Sequence, residues 1–561
     1  MYTDPQWPEN HWNRVYAGRY FEYRKLIIRP SSTSTLILQA STCGGLFHRV
    51  KVTLMSDKTK KTGPFNSLRE FMDTIEASGR LLRIKEIDQD QYEYTALMYK
   101  LIDEFGFLGA PAVLAERVKI NGKWVEGPVI ANQYGAADLE ALAVGVNLSD
   151  IGEDQVSNYK EALKKMTALC PIEGIKPKEI PTEAAPCKEV ILRGDEIDLE
   201  NFPFLQTNPA DNGQFINTGN LVTIDSENGR NVGTYRMQIK GPRKIAVNAG
   251  KGQHGEVSLS GRAKRGEKIA KAAVIYGADP FVFAMSSSKT ARLEQDELEI
   301  AGGYLGRPVE VVKCEDSDIL VPANVEMIIE GEIPLDDMEP EGPFGEFFGY
   351  MGEAMAAQYY MNIKTITHRK NPIFVNSFTG VSRGFITSPG EANSNYNMRK
   401  LIPNLIGIHL PSDMVGFFFL SIDKQRPGEA IEHAEKFAQF LGIAKVLVVV
   451  DKDVNIHNSL EVIRAVAARW QPGTASKILK NAVGLSTDPS SMGDPDITGY
   501  NSHLSSKIIV DATRQWPEEG GPENFAPMNK DCLLDLFPDA LNVVENKWGH
   551  MITAQRKKYN D

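Results

Sequence analysis

Three rhythms of apolar and polar positions follow one another along the chain. From about residue 66, SLREFMDTIEASGRLLRI spaces its apolar residues as a helix and runs on into a strand-like stretch, and YTALMYKLIDEFG repeats the helical spacing. PAVLAERV and GPVIANQYG predict strands, and the Pro-rich GIKPKEIPTEAAPCKEV near 180 predicts a linker. Between 188 and about 380 strand-like runs dominate: NLVTID, NVGTYRMQIK, RKIAVNAG, VEVVKCE, NVEMIIEGEI and YYMNIKTITHRK, separated by turn residues. Two helices, GEKIAKAAVIYG and RLEQDELEIAGGYLG, are expected to interrupt them. A β-rich middle of this kind predicts a barrel or sandwich. From about 415 the pattern alternates β and α through VGFFFLSI, PGEAIEHAEKFAQFLG, AKVLVVVD, NSLEVIRAVAARW and SKIIVDAT. Its strands are continuous apolar runs, as in a parallel sheet covered on both faces. NMRKLIPNL predicts a connecting helix before it.

The expected class is therefore a multi-domain α/β protein. An N-terminal α/β domain spans 55–187, a β-barrel domain 188–385, a connecting helix 386–412, and a C-terminal α/β domain with a largely parallel sheet 413–561. Residues 1–54 carry no helical or strand period, and they lack the charged start, apolar centre and small-residue cleavage site of a secretory signal. Met55 opens MSDKTKKTGPFNSLREF, which reads like an ordinary protein start. The expectation is a native start at Met55, with 1–54 an over-extended reading frame or a flexible extension.

Composition narrows the function classes. With 561 residues, 42% of them hydrophobic, the chain can build more than one core. A net charge of −11 without a sustained Lys/Arg run argues against a nucleic-acid partner. Five cysteines, Cys43, Cys170, Cys187, Cys314 and Cys532, are scattered and never in a CxxC spacing, which fits neither a disulfide framework nor a zinc ribbon and predicts a cytoplasmic location. No apolar run approaches the roughly 20 residues of a membrane helix.

Candidate chemistry starts at EPEGPFGEFFGY, 339–350, where Glu339, Glu341 and Glu346 surround a Pro-Phe-Gly turn. Pro343 fixes φ and the flanking glycines permit close approach, so Glu341 and Glu346 sit on a stiff loop. If Phe347 and Phe348 line an apolar pocket, desolvation would raise a neighbouring carboxyl and let it hold a proton near neutrality. A solvated acidic turn is the plainer alternative. In RNVGTYRMQIK, Arg236 is a natural partner for a carboxylate and Asn231 offers an oxygen to a hard cation. Five residues apart on a regular strand they face opposite sides, so a shared site requires a bulge, which Gly233 could supply. His254 in GKGQHGE stands without an HxxxH or HExxH partner, so a zinc site of several histidines is not expected. Of Glu294, Asp296, Glu297 and Glu299, only one or two can face inward from a helix. MSSSKT, 285–290, offers hydroxyls for a phosphate or a monovalent cation.

Taken in order, these stretches resemble the UbiD family of prenylated-flavin-dependent decarboxylases, over about 66–550. EGPFGEFFGY is similar to the family's E-G-P-F-G-E signature; N-x-G-x-Y-R-M-Q, E-L-E-I-A-G-G, V-V-K-C, V-L-V-V-V-D-K-D-V-N-I and S-S-K-I-I-V-D-A-T add to the resemblance. It implies a split β-barrel that binds prenylated FMN in the central domain. It implies Asn231, His254 and Glu297 as ligands of a Mn²⁺ or Mg²⁺ ion beside the cofactor phosphate, and Val232, Gly233, Thr234, Tyr235, Arg236 and Gln253 as lining the cofactor. Ser286, Ser287 and Arg469 fall near positions that surround a K⁺ ion in the ferulic acid decarboxylase branch. Arg236, Glu341 and Glu346 match the catalytic set, with Glu346 the proton donor and Arg236–Glu341 the ion pair that tunes it.

The implied activity is reversible, non-oxidative decarboxylation of an aromatic or α,β-unsaturated carboxylic acid. Carboxylation in the reverse direction, as a subunit of a complex, and a non-catalytic assembly role are the alternatives. A flavin prenyltransferase as cofactor source and homo-oligomerisation through the C-terminal domain, as a dimer or hexamer, are also implied. Two departures mark the substrate side. Ala246-Val247-Asn248 stands where many members have Met-His-Trp, and Phe347-Phe348 follows the glutamate motif where the ferulic branch differs. No lysine can be matched to the one that contacts the cofactor in that branch.

Overall fold

The computed structural model describes residues 61–493 and 503–560, together with an antiparallel pair of two-residue strands, Ile37–Leu38 and Val50–Lys51. The start expected at Met55 lies outside the described residues. The chain divides into two compact units, one of residues 56–526 and one of residues 1–55 with 527–561. In the latter, helices Asn529–Leu536 and Ala540–Asn560 expose Leu536, Trp548, Met551 and Ile552, and Phe537 after the first of them is exposed too. Among the described residues no helix is long and apolar enough to cross a membrane.

The larger unit opens with helix α1 (Leu68–Ala77). Ser67 caps it by accepting from Glu70 N, and the helix buries Leu68, Phe71, Met72 and Ile75, the face its apolar spacing predicts. Strand β1 (Leu81–Asp88) runs parallel to β2 (Ala112–Ile120), with helix α2 (Glu93–Phe105) as the crossover, and β2 pairs antiparallel with β3 (Lys123–Ala131). Helix α3 (Gln155–Ala168) follows.

Six strands then close into an antiparallel barrel: β4 (Phe215–Asp225), β5 (Gly229–Ile239), β6 (Lys244–Val247), β7 (Ile269–Tyr276), β8 (Met327–Pro334) and β9 (Met355–His368). Closure comes from β9, which pairs with β8 along one stretch and with β6 along another. Helices α4 (His254–Lys264), α5 (Pro280–Ser286) and α6 (Glu297–Leu305) lie between the strands in sequence. Strand β10 (Phe374–Asn376), which follows the barrel in sequence, adds in parallel to β3, so the first sheet is completed by a segment from beyond the barrel.

Two local expectations are corrected here. GEKIAKAAVIYG is strand β7, not a helix. Its alanines favour helix locally, but Ala273 pairs with Val222 on one side and Glu330 on the other, and barrel pairing overrides propensity. The bulge lies on the partner strand, not at Gly233. Gly219 pairs with Tyr235 and Ile216 with Met237, so Asn217 and Thr218 together stand opposite Arg236. Gly233 pairs regularly with Leu221 and serves clearance instead: a Cβ there would lie 2.6 Å from the ring of Tyr235. Gly233→Ala should therefore cost about 1–3 kcal/mol of stability through overpacking, read as a lower urea midpoint with an unchanged m-value.

Helix α7 (Ser388–Leu401) leads into the last sheet, in the order β11 (Leu405–His409), β12 (Phe417–Ile422), β13 (Val446–Asp451), β15 (His503–Ala512), β14 (Ser476–Gly484). The three central strands are parallel and both flanking strands antiparallel, so this sheet is mixed where a largely parallel one was expected. Helices α8 (Glu429–Ala438) and α9 (Ser459–Arg469) pack against it, and two separate apolar clusters hold Phe418 with Leu447 and Phe419 with Val448. Alternation along β12 and β13 sends neighbours to opposite faces, which is why both sides of the sheet are apolar.

Candidate active site

Arg236 on β5 joins the two glutamates of the Pro-Phe-Gly turn. Its Nε and Nη2 donate to Glu341 Oε1 at 2.9 Å and Oε2 at 3.0 Å, a bidentate pair, while Nη1 donates to Glu346 Oε1. Asn248 Nδ2 donates to Glu341 Oε2 at 2.7 Å. Glu341 has no solvent exposure and Glu346 is buried.

The turn is fixed from below by side chains of the barrel and its approach loop. Gln238 Oε1 accepts from Gly342 N at 3.0 Å, Asn212 Nδ2 donates to Gly342 O at 2.9 Å, and Asp211 Oδ1 accepts from Gly345 N at 2.9 Å. Gly342 has φ +82°, a conformation that favours glycine. The motif thus demands a glycine there, and the neighbouring polar side chains leave its carboxylates little freedom.

Burial raises the Glu346 carboxyl above the ordinary glutamate range. Arg236 opposes that rise, and the charges of Glu341 and Asp211 add to it. For Arg236, burial disfavours the charge, but Glu346 and Glu341 outweigh it and its pKa lies above the usual value. One carboxyl thus has its pKa raised by burial beside another held in a bidentate pair with the same guanidinium.

The aromatic wall differs from the expected one. Phe344, inside the turn, packs its ring 5.1 Å from the Arg236 guanidinium and 4.6 Å from the ring of Phe215. Phe347 is 40% exposed and faces Phe385, and Phe348 is half-buried near Gly416. The low-dielectric contact comes from the phenylalanine between the glutamates, because the turn folds that residue inward and carries the next two away.

Asn231, His254 and Glu297 converge from β5, the start of α4 and the start of α6. Glu297 Oε1 accepts from Asn231 Nδ2 at 3.0 Å, Oε2 accepts from Val232 N at 2.8 Å, and His254 Nδ1 lies 3.8 Å from Oε1. Asn231 Oδ1 is buried and has no hydrogen-bond partner. A buried carbonyl oxygen left unpaired beside a carboxylate and an imidazole is a donor set that fits a hard or borderline divalent ion.

The neighbouring residues frame this spot. Tyr235 Oη accepts from Gly255 N at 3.0 Å, tying the start of α4 to the strand. Thr234 Oγ1 lies 3.1 Å from Ser286 Oγ and accepts from Asn220 Nδ2 at 2.8 Å. Gln253 turns back to accept from Gly250 N at 2.8 Å. The residues grouped around K⁺ by resemblance divide: Ser286 and Ser287 both donate to Phe283 O within α5, whereas Arg469 donates to Asp451 and Asp453 beside the C-terminal sheet.

Four residues that sequence reasoning did not single out as site members shape it: Asn248, Gln238, Asp211 and Asn212. Asn248 stood out only as a departure from Met-His-Trp. Asp211 and Asn212 lie in NPADNGQ, whose turn signal gives no hint of a distant glutamate loop.

Comparison with known proteins follows the same lines. Residues 178–382 match the model of the 3-octaprenyl-4-hydroxybenzoate carboxy-lyase Rift-related domain (UbiD), and residues 385–512 match that enzyme's C-terminal domain. An uncharacterized protein of Archaeoglobus fulgidus is 33% identical over 476 residues, covering 81% of this chain and 93% of that one. Vanillic acid decarboxylase of Sedimentibacter hydroxybenzoicus, in closed form, is similar with TM-score 0.71 and 27% identity over 84% of this chain and 99% of that one. An evolved dimeric form of the UbiD-class enzyme HmfF of Pelotomaculum thermopropionicum, in complex with prFMN, gives 0.66 and 29% over 83% and 97%.

Proposed function

The chain belongs to the UbiD family of carboxy-lyases, and from that premise we propose that it is a prenylated-FMN-dependent enzyme of reversible, non-oxidative decarboxylation, with Glu346 as proton donor. The observation that carries this reading is the single guanidinium of Arg236 shared between a fully buried Glu341 and a Glu346 whose pKa is raised. A retired, purely structural subunit has no use for two carboxylates so differently poised.

Asn231, His254 and Glu297 would hold a Mn²⁺ or Mg²⁺ ion, and the N-terminus of α4 beside them suits the cofactor phosphate. When bound, prenylated FMN supplies the electron sink for the pair released as the C–C bond breaks. Arg236, kept charged by its two carboxylates, orients the substrate carboxylate and holds Glu341 in a bidentate pair. Glu346 gives its proton to the carbon that loses CO₂ and recovers one from water. The same residues run the reaction in reverse by microscopic reversibility, so CO₂ and substrate levels decide the direction.

The substrate class is an aromatic or α,β-unsaturated acid, by likeness to the vanillic acid enzyme. Asn248, which bonds Glu341 in place of the bulky residue of many relatives, makes this pocket distinct. Asn248→Ala should lower kcat/KM by about 10- to 100-fold and stability by about 1.5–3 kcal/mol, the value of one hydrogen bond to a charged, buried acceptor, read by steady-state kinetics and urea unfolding. Asn231→Ala should lower bound divalent metal and cofactor together, read by elemental analysis and by the flavin absorption of the purified chain.

The reading is tested by producing the chain anaerobically with a flavin prenyltransferase and recording the bound cofactor by mass spectrometry. ¹³C-bicarbonate exchange into a panel of aromatic and cinnamic acids then reports the chemistry. Bound prenylated FMN and label in one acid are expected. Absence of the cofactor, with metal supplied and oxygen excluded, would falsify the reading.

A further inference from the structure

Away from the flavin-family site, three side chains from three elements meet at the junction between α7 and the C-terminal sheet. Glu391 lies in the first turn of α7, His409 ends β11, and His457 sits in the turn after β13. His409 Nδ1 lies 2.7 Å from Glu391 Oε2, and His457 Nε2 lies 2.8 Å from Oε1. The two imidazoles touch, with ring centroids 4.7 Å apart, and the three donor atoms all fall within 4.8 Å of one another. The cluster is largely shielded from solvent, the side chains being 8–14% exposed.

From these positions we propose that Glu391, His409 and His457 bind one borderline divalent ion, zinc by preference, as a second metal site independent of the function proposed above. Two imidazoles and one carboxylate are the three-ligand set that zinc takes with a fourth position open. The same set disfavours Mg²⁺ and Mn²⁺, which prefer oxygen-rich shells, so the two sites would select different ions. Ligand atoms about 2.0–2.1 Å from zinc stand roughly 3.3 Å apart in a tetrahedron. The present 2.7 and 2.8 Å spacings, one to each carboxylate oxygen, would open by about 0.5–0.6 Å, and the remaining donor separation, within 4.8 Å, would settle to the same value.

The surroundings support a fixed site. Tyr159 of α3 donates to Glu391 Oε2 at 3.0 Å, an outer contact of the kind that orients a metal-bound carboxylate. Its ring lies 5.6 Å from that of His409 and 5.7 Å from that of His457. Asn455 Oδ1 accepts from His457 N at 3.2 Å and holds the turn. Arg383 is stacked at 5.6 Å over Tyr159 and ion-paired with buried Glu140.

Asn395, on the same helix, already accepts from Ile408 N at 2.8 Å and donates to Ile408 O at 3.1 Å. A metal between Glu391 and His409 would add a second fastening of α7 to strand β11, one turn away.

Cobalt(II) is the probe. The full chain, stripped with chelator, is titrated with Co²⁺ and followed in the visible range, where low-coordinate cobalt absorbs strongly and octahedral cobalt weakly. One equivalent of the strong band is expected in the wild-type chain and in Asn231→Ala, and its loss in His457→Ala and Glu391→Gln. Elemental analysis after zinc loading should show one equivalent fewer in those two variants, and zinc should raise the melting temperature of the wild-type chain by several degrees but not theirs. Tyr159→Phe should keep the band. If His457→Ala does not fold, the isosteric Glu391→Gln decides. A wild-type chain without the strong band, or a band that survives Glu391→Gln and disappears in Asn231→Ala, overturns the site and leaves a hydrogen-bonded triad.

Discussion

Glu346→Gln should reduce decarboxylation by about 10²- to 10⁴-fold in kcat, the range that a positioned general acid supplies, while the chain still binds its cofactor. The amide keeps the size of the carboxyl and can still meet Arg236 through its oxygen, so folding is not at issue. What disappears is the proton. A kcat that fell no more than a few-fold, with cofactor loading unchanged, would assign the proton to another group.

The same carboxyl sets a pH limb. Because burial raises its pKa, it is protonated over a wider range than an ordinary glutamate, and kcat for decarboxylation should fall as pH rises through that raised value. The linked stability has the same sign. A carboxyl with a higher pKa folded than unfolded holds more protons in the native state, so its contribution is full below the ordinary glutamate value and declines as pH rises through the folded one.

Arg236→Ala is expected to be the most destabilising change at the site. Glu341 has no exposure and takes two donors from Arg236. Removing the guanidinium leaves a buried carboxylate with Asn248 alone, a loss of about 3–5 kcal/mol, measured by urea unfolding of the metal-loaded chain. Turnover should vanish as well, because both Glu346 and the substrate carboxylate lose their counter-charge. Pairing the change with Glu341→Gln separates the two effects. The double variant should regain part of the stability, since the uncompensated charge is gone, but none of the activity. Arg236→Lys should fail on turnover too, since an ammonium cannot reproduce the bidentate fork that spans Glu341 while a third nitrogen reaches Glu346.

Much of this protein was legible before any coordinates. The α/β–β–α/β order, the apolar face of helix α1, the apolar runs of β12 and β13 and the need for glycine and proline at the Gly342–Pro343 turn follow from local rules of period and backbone freedom, which act over a few residues. The resemblance added the identities of Arg236, Glu341 and Glu346 as a set.

Tertiary structure alone decided other things. Alanine-rich β7 became a strand because two neighbours in a closing barrel claimed its backbone. The bulge that serves Arg236 lies at Asn217 and Thr218, since register belongs to a pair of strands and cannot be read from one. Phe344 and not Phe347 faces the ion pair, because the turn's path sets which ring points inward. Asn248 reaches Glu341 across 93 residues, and Glu391 meets His409 and His457 across 18 and 66. Sequence fixes what each of these groups can do chemically; which of them meet is set by contacts between distant segments, and those form only when the barrel closes and the last sheet packs.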